Sequence, residues 1–319
     1  MMQKRIVLFL FFVLTFLILS PASFAKKAPA VADSEQDALG NTCSQNGKCT
    51  YYHTETLPGG ITAKVEVVSL GAFKGDIDKI FEYAFGDVRR VAGLLNANDP
   101  TSEVAKVNAN AGIGFVEIGP EFQLIMKAAK KAFLWTDGTF DITTTPEIGN
   151  FNNIKFTNNM VLLKKQGMRI NFDNIIHGFI ADLLIRAIYN ANVDNALVEV
   201  GPTSRSIGTS VVGGWRTQVD DSSGGYARRG MTLDTSNVSV GTVTAGVNAP
   251  TVDPRWAIPV LKMCRSVTII SRNAAVSEAL ANGIYIWGPE KGMMLINRLQ
   301  TVRGVIVDNN GTFLKSQGM

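Results

Sequence analysis

The stretch from Gly167 to Gly208, GMRINFDNIIHGFIADLLIRAIYNANVDNALVEVGPTSRSIG, carries the clearest change of period in the chain. Met168, Ile170 and Phe172 alternate as in a strand and stop at the polar pair Asp173-Asn174. Beyond it Ile176, Ile180, Leu183, Leu184, Ala187 and Ile188 recur at helical spacing, which predicts a helix with one apolar face. Asn190 and Asn192 close that helix, and Ala196 to Val200 read as a buried strand ending at Gly201-Pro202. Strand, polar turn, helix, strand leaves backbone N–H groups at a helix start, where an anion can sit.

Upstream, Ile61, Ala63, Val65 and Val67 give a first strand of period two. Asp76 is placed to cap a helix whose stripe runs through Phe81, Phe85, Val88 and Leu95 and ends at Asn98-Asp99-Pro100. Gly119-Pro120 starts a second helix that runs into the turn-rich Thr136–Asp141. Strands are also predicted at Met160–Leu163 and around Trp215–Val219, followed by a Gly-, Ser- and Thr-rich region from Asp221 to Asn248. Val267–Ile270 reads as a buried strand, and helices begin near Asn273 and again at Pro289. Val305–Val307 with Asp308-Asn309-Asn310-Gly311 reads as a closing hairpin. Helices and strands mix without regular βαβ alternation, which favours α+β.

The 319 residues are 46% hydrophobic and 18% charged, a globular composition. Lys4 and Arg5 precede an apolar run from Ile6 to Leu19, then Ser23-Phe24-Ala25. That order predicts a secretory signal peptide over 1–25; the alternative, a membrane anchor, needs a run of roughly 20 residues. Cleavage would leave 29 basic against 27 acidic residues, so nucleic acid is not an expected partner and no stable membrane span is expected. Residues 26–57 read as a linker and 58–319 as the folded domain, with a periplasmic or otherwise exported location. Cys43 and Cys49, six apart in a polar segment, suit a small disulfide loop in an exported protein. Zinc is the weaker alternative because only His53 lies nearby. Cys264 sits in an apolar run and reads as a core residue.

Five segments taken in order carry a resemblance: Pro100–Asn108, Thr136–Thr143, Trp215 with its strand, Val252-Asp253-Pro254-Arg255, and Gly288–Gly292. Together they resemble the FAD:protein FMN transferase family, the ApbE-like proteins, over roughly Ile61 to Gly311. The resemblance implies an α+β fold of two halves with a flavin cleft between them. It implies FAD as substrate, Mg²⁺ to help break the pyrophosphate, transfer of FMN to a threonine or serine of an acceptor protein, and release of AMP. By matching position, Asp173, Asn174, Gly178, Arg205, Thr235, Ser236 and Arg255 are implied as flavin-nucleotide contacts. Glu278 and Asn282, four apart on one helix face, take the positions of the family's metal-binding Asp and Thr. Ile176 joins them on the metal side; the alternative for the helix pair is a solvated Glu and a polar cap.

The same alignment of motifs shows departures. The family's Asp-Leu-Gly-Gly-Ile-Ala-Lys-Gly-Tyr is here Asn171–Phe179, without the two glycines and with His177 for the lysine. Gly-Gly-Asp becomes Gly201-Pro202-Thr203, and Thr-Ser-Gly-Asp becomes Thr235–Val238. The catalytic histidine falls on Pro250, and the chain's histidines are only His53 and His177. A base would then have to be His177 or Asp253, although His177 also reads as a packed or surface histidine. Three outcomes follow as expectations: transfer with a rearranged base, flavin binding without transfer, or FAD pyrophosphate hydrolysis.

Overall fold

In the computed structural model, residues 35–36, 42–43, 47–70, 76–220 and 230–319 are described. The expected signal peptide, residues 26–34, 37–41 and 44–46 of the expected linker and residues 221–229 of the Gly-rich region lie outside them.

A ten-stranded sheet organises the molecule. Its order is 35–36, 42–43, 48–57, 61–70, 196–200, 203–207, 239–244, 264–271, 303–308 and 313–315, with every neighbour antiparallel. Residues 48–57, read from sequence as linker, are a full strand, registered against 61–70 from Lys48–Leu70 to Leu57–Ile61. Its polar alternation hid it: an edge-side strand with one wet face has too few apolar residues to stand out. Cys43 and Cys49 face each other across adjacent strands and form a disulfide. The strand 264–271 lies deep in the sheet and is buried at nearly every position.

Among the described residues there are five α-helices: α1 (Ile77–Leu94), α2 (Glu103–Ala109), α3 (Pro120–Trp135), α4 (Ile176–Asn190) and α5 (Ala274–Arg298). Of these, α1, α4 and α5 pack on this sheet, α2 on the strand 160–163 of a smaller three-stranded sheet, and α3 on α5. Asp76 accepts the Lys79 N–H at 3.2 Å and starts α1, which buries Phe81, Phe85 and Val88. The short α2 lies in a segment where no helix was predicted; Ser102 caps it through the Ala105 N–H at 3.0 Å. The backbone leaves helical geometry at Gly288, where φ is 78°, and Pro289 restarts it. α5 is thus two helical pieces, in line with separate starts near Asn273 and at Pro289.

One element of the opening stretch is corrected. Met168, Ile170 and Phe172 are buried, but they form no strand; Ile170 makes only an isolated bridge to Thr143. The Asn108 side chain takes the place of a neighbouring strand. Its amide donates to the Ile170 carbonyl at 2.9 Å and accepts the Ile170 N–H at 2.8 Å. A buried backbone needs those bonds made but not by another backbone.

Candidate functional site

A cavity of about 550 Å³ opens between the turn-rich segment 139–147 and the segment 249–257. Asn174, just before α4, and Asn282, on α5, also line it. One wall comes from the first half of the chain and the other from the second, each holding a motif that carried the resemblance. The first wall is held from behind. Thr136 Oγ1 accepts the Phe140 N–H at 3.0 Å, and Thr139 Oγ1 donates to the Gly283 carbonyl at 2.8 Å. Asp137 and Gly138 turn the chain with positive φ of 50° and 77°. The second wall is more exposed: Val252 faces solvent, and so do Trp256 and Ile258 beside the cavity, Trp256 at 69%. Pro250, at the family's histidine position, lines the cavity. The charged lining residues are Asp141 and Glu147, and no Lys, Arg or His lines this cavity among the described residues.

The start of α4 is not open to an external anion. Ile175 supplies no side-chain cap, and the Ile176 N–H bonds the Phe172 carbonyl at 2.8 Å. The Gly178 N–H donates to Glu278 Oε2 at 2.7 Å, across 100 residues of chain. Glu278 is 3% exposed, so it is neither solvated nor free. Its other oxygen, Oε1, sits 2.8 Å from His177 Nδ1. Beside a carboxylate Nδ1 is the protonated nitrogen, which leaves Nε2 as the second ring position. Burial works against the charged ring, but the bond and charge of Glu278, with Asp173 adding to them, raise the His177 pKa overall. Gly178 allows the close approach: a Cβ there would lie 2.2 Å from the Ala274 carbonyl oxygen.

α5 receives the reciprocal contact. Asp182 Oδ2 accepts the N–H groups of Ala274 and Ala275 at 2.8 and 3.1 Å, beside the helix's own cap, Asn273. Burial pushes the Asp182 carboxyl up to about 6, against the pull of those N–H groups and of Arg205. Arg205 Nε lies 3.6 Å from Asp182 Oδ1, and burial lowers the guanidinium pKa. Arg205, implied as a nucleotide contact, is thus engaged inside the fold.

The other implied contacts divide. Asn174 lines the cavity, whereas Asp173 is exposed and bonded to Asn171 Nδ2 at 2.6 Å. Thr235 and Ser236 lie away from it. Thr235 O accepts from Ser206 Oγ, and Ser236 Oγ accepts the Trp215 N–H at 2.8 Å. Ser236 lines a separate cavity of about 930 Å³. Asp253, offered as a base, is clamped by Arg255: Nε reaches Oδ1 at 3.0 Å and Nη2 reaches Oδ2 at 2.7 Å. Burial opposes ionisation of Asp253, but those bonds hold its pKa below the usual range. A carboxylate so held is a weak base. The Asp-Pro-Arg turn is a structural clamp, and Arg255 lines a neighbouring cavity of about 410 Å³ rather than the larger one.

The magnesium ion implied by the resemblance does not fit these residues. Mg²⁺ wants a near-octahedral set of oxygens. Both Glu278 oxygens already accept from the chain, and freeing Oε2 would strand a buried N–H at roughly 1–3 kcal/mol. Asn282 turns its amide nitrogen to the Glu278 and Asn174 carbonyls, at 3.0 and 3.4 Å. What remains is Asn282 Oδ1, buried and without a partner. Ile176 has only a backbone carbonyl to give. No group of three or more His, Cys, Asp or Glu suited to a metal occurs among the described residues.

Asp141 lies inside the Thr136–Thr143 motif, whose residues carry no assigned role in the sequence. Its oxygens accept the Thr143 and Phe151 N–H groups, each at 2.9 Å, and burial pushes its carboxyl up to about 6. It lines the cavity. A carboxylate next to a Thr-Asp-Gly turn and followed by an apolar residue was the available signal.

Sheet, helices and cavity place the chain in a known class, the flavin transferase fold. It superposes on Flavin Transferase ApbE from Vibrio cholerae with a TM-score of 0.75, at 16% identity, covering 84% of this chain and 97% of that one. The apo Pseudomonas stutzeri flavinyl transferase ApbE gives 0.76 at 17% identity, covering 84% and 94%. The family model described as ApbE family matches residues 60–149 and 147–306, most of the chain, and the protein belongs to the ApbE family. Among curated relatives, the FAD:protein FMN transferase of Klebsiella pneumoniae (strain 342) is 24% identical over 264 residues, 72% of this chain and 82% of that protein. The FAD:protein FMN transferase of Haemophilus influenzae is 19% identical over 321 residues, covering 86% and 91%.

Proposed function

We propose that the protein acts as a FAD:protein FMN transferase, taking FAD into the cavity between residues 139–147 and 249–257. The FMN part passes to a serine or threonine hydroxyl of an exported acceptor protein, and AMP is released. The observation that supports this reading is the cavity itself, whose opposite walls are the two family-matching turns. Relatives carrying the transferase name over most of their length point the same way. In the reaction the acceptor oxygen bonds to the FMN phosphorus, the bond from that phosphorus to the AMP phosphate oxygen breaks, and the hydroxyl proton needs an acceptor. Asp141, on the cavity wall with its carboxyl near 6, is that acceptor in this reading. Magnesium has no step here, because the residues at its implied place do not fit it. An exported setting rests on the Lys4 to Ala25 pattern.

The test mixes mature protein with FAD and an acceptor carrying a suitable threonine, and weighs the acceptor. A gain of one FMN mass supports transfer, and Asp141→Asn should cut its rate by about 10²-fold or more while FAD still binds. Pro250 favours a second reading, flavin binding without transfer. That reading holds if FAD binds and no mass is gained. Pro250→His should then start transfer, since it restores an ionisable group to the wall.

A further inference from the structure

Glu278 is the centre of a closed set of contacts. His177 Nδ1 holds one oxygen at 2.8 Å and the Gly178 N–H holds the other at 2.7 Å. The backbone carbonyls of Glu278 and Asn174 accept from Asn282 Nδ2. Every donor in the set belongs to the chain. To take both Glu278 oxygens a divalent cation would have to displace the His177 ring and break the Gly178 bond, and only Asn282 Oδ1 stands ready as a ligand.

We propose that in this protein the His177 side chain fills the place where the family resemblance puts a metal ion, so that flavin binding in the adjoining cavity needs no divalent cation. The proposal rests on the flavin reading of that cavity. His177 is 26% exposed on its side chain, and its Nε2 makes no hydrogen bond among the described residues.

Two measurements on the mature chain decide it. Mn²⁺, a paramagnetic oxygen-seeking stand-in for Mg²⁺, is titrated and followed by EPR. FAD is titrated by flavin fluorescence in magnesium and in EDTA. The expected result is an undiminished free-Mn²⁺ signal and FAD affinities that agree within about twofold. One Mn²⁺ bound per chain and lost in Glu278→Gln overturns the proposal. So does a FAD affinity that falls about tenfold or more in EDTA. His177→Ala, which empties the place but keeps the carboxylate, is expected to gain Mn²⁺ binding. No gain in a variant with the wild-type melting temperature overturns the claim that the ring is what excludes the ion. If His177→Ala does not fold, His177→Gln, which keeps a donor beside Glu278, is expected to fold and to bind no Mn²⁺; Mn²⁺ uptake by it overturns the proposal. Failure to bind FAD under both conditions defeats the flavin reading alone, and the Mn²⁺ titration still decides this one.

Discussion

The first turns of α4 and α5 solve one problem in two ways. Each helix start leaves N–H groups without partners inside its own helix. α5 meets the need twice, with Asn273 accepting the Val276 N–H at 2.8 Å and Asp182 reaching Ala274 and Ala275. α4 has no local cap and relies on Glu278, which α5 supplies. The start of α5 is secured partly by its own sequence and would persist if the contact loosened. At the start of α4 the Gly178 N–H has its partner only while the two helices touch. The corner that resembles an anion site is therefore a joint, and its anion is part of the protein.

Gly178→Ala attacks the joint most directly. In an ordinary helix interior the change would favour folding by about 1 kcal/mol. Here the added Cβ meets the Ala274 carbonyl oxygen at 2.2 Å, and both atoms sit on packed backbone. Overpacking of this kind costs roughly 3 kcal/mol, which exceeds the propensity gain. The urea midpoint should fall accordingly, and an unchanged or raised midpoint would show that the helices can part at no cost.

Asp182 gives the next effect, read through pH. Its carboxyl stands at about 6 in the fold against an ordinary value of 3.8. The folded state thus holds its proton more tightly than the unfolded one. The stability this gives is complete below about 3.8 and is lost as pH rises through about 6, a swing of at most roughly 3 kcal/mol. Asp182→Asn removes that titration while keeping an oxygen for the two N–H groups. The stability of wild type minus that of the variant should fall from pH 4 to pH 7, as followed by chemical denaturation. Parallel curves would mean Asp182 is not buried as described.

How far these features are legible in the sequence follows the range of the contact. The apolar stripes of α1 and α4, the Asp76 cap and the restart at Pro289 are local, and spacing alone exposes them. The family's turns at 136–143 and 252–255 are likewise short. The strand 48–57 escaped because its outer face is polar, and α2 because seven residues carry barely two turns of pattern. The Glu278–Gly178 bond spans 100 residues, and no periodicity encodes it. Thr235 and Ser236 matched a motif by order, but the fold spends them on Trp215. Asp253 matched a catalytic motif, and its neighbour Arg255 neutralises it.

The smallest effect tests the redundancy at α5. Asn273→Ala deletes the local cap, a change that usually costs about 1 kcal/mol. Asp182 still satisfies Ala274 and Ala275, so only the Val276 N–H loses its partner. The loss should stay at or below that figure, with the denaturant midpoint lowered and the m-value unchanged. It should also be smaller than the loss in Gly178→Ala. If the two variants fall equally far, α5 depends on its local cap as strongly as α4 depends on the helix contact, and the two starts are not different in kind. If Asn273→Ala is nearly silent while Glu278→Ala is not, the direction of support is set: α5 is the stable partner, and α4 takes its first turn from it.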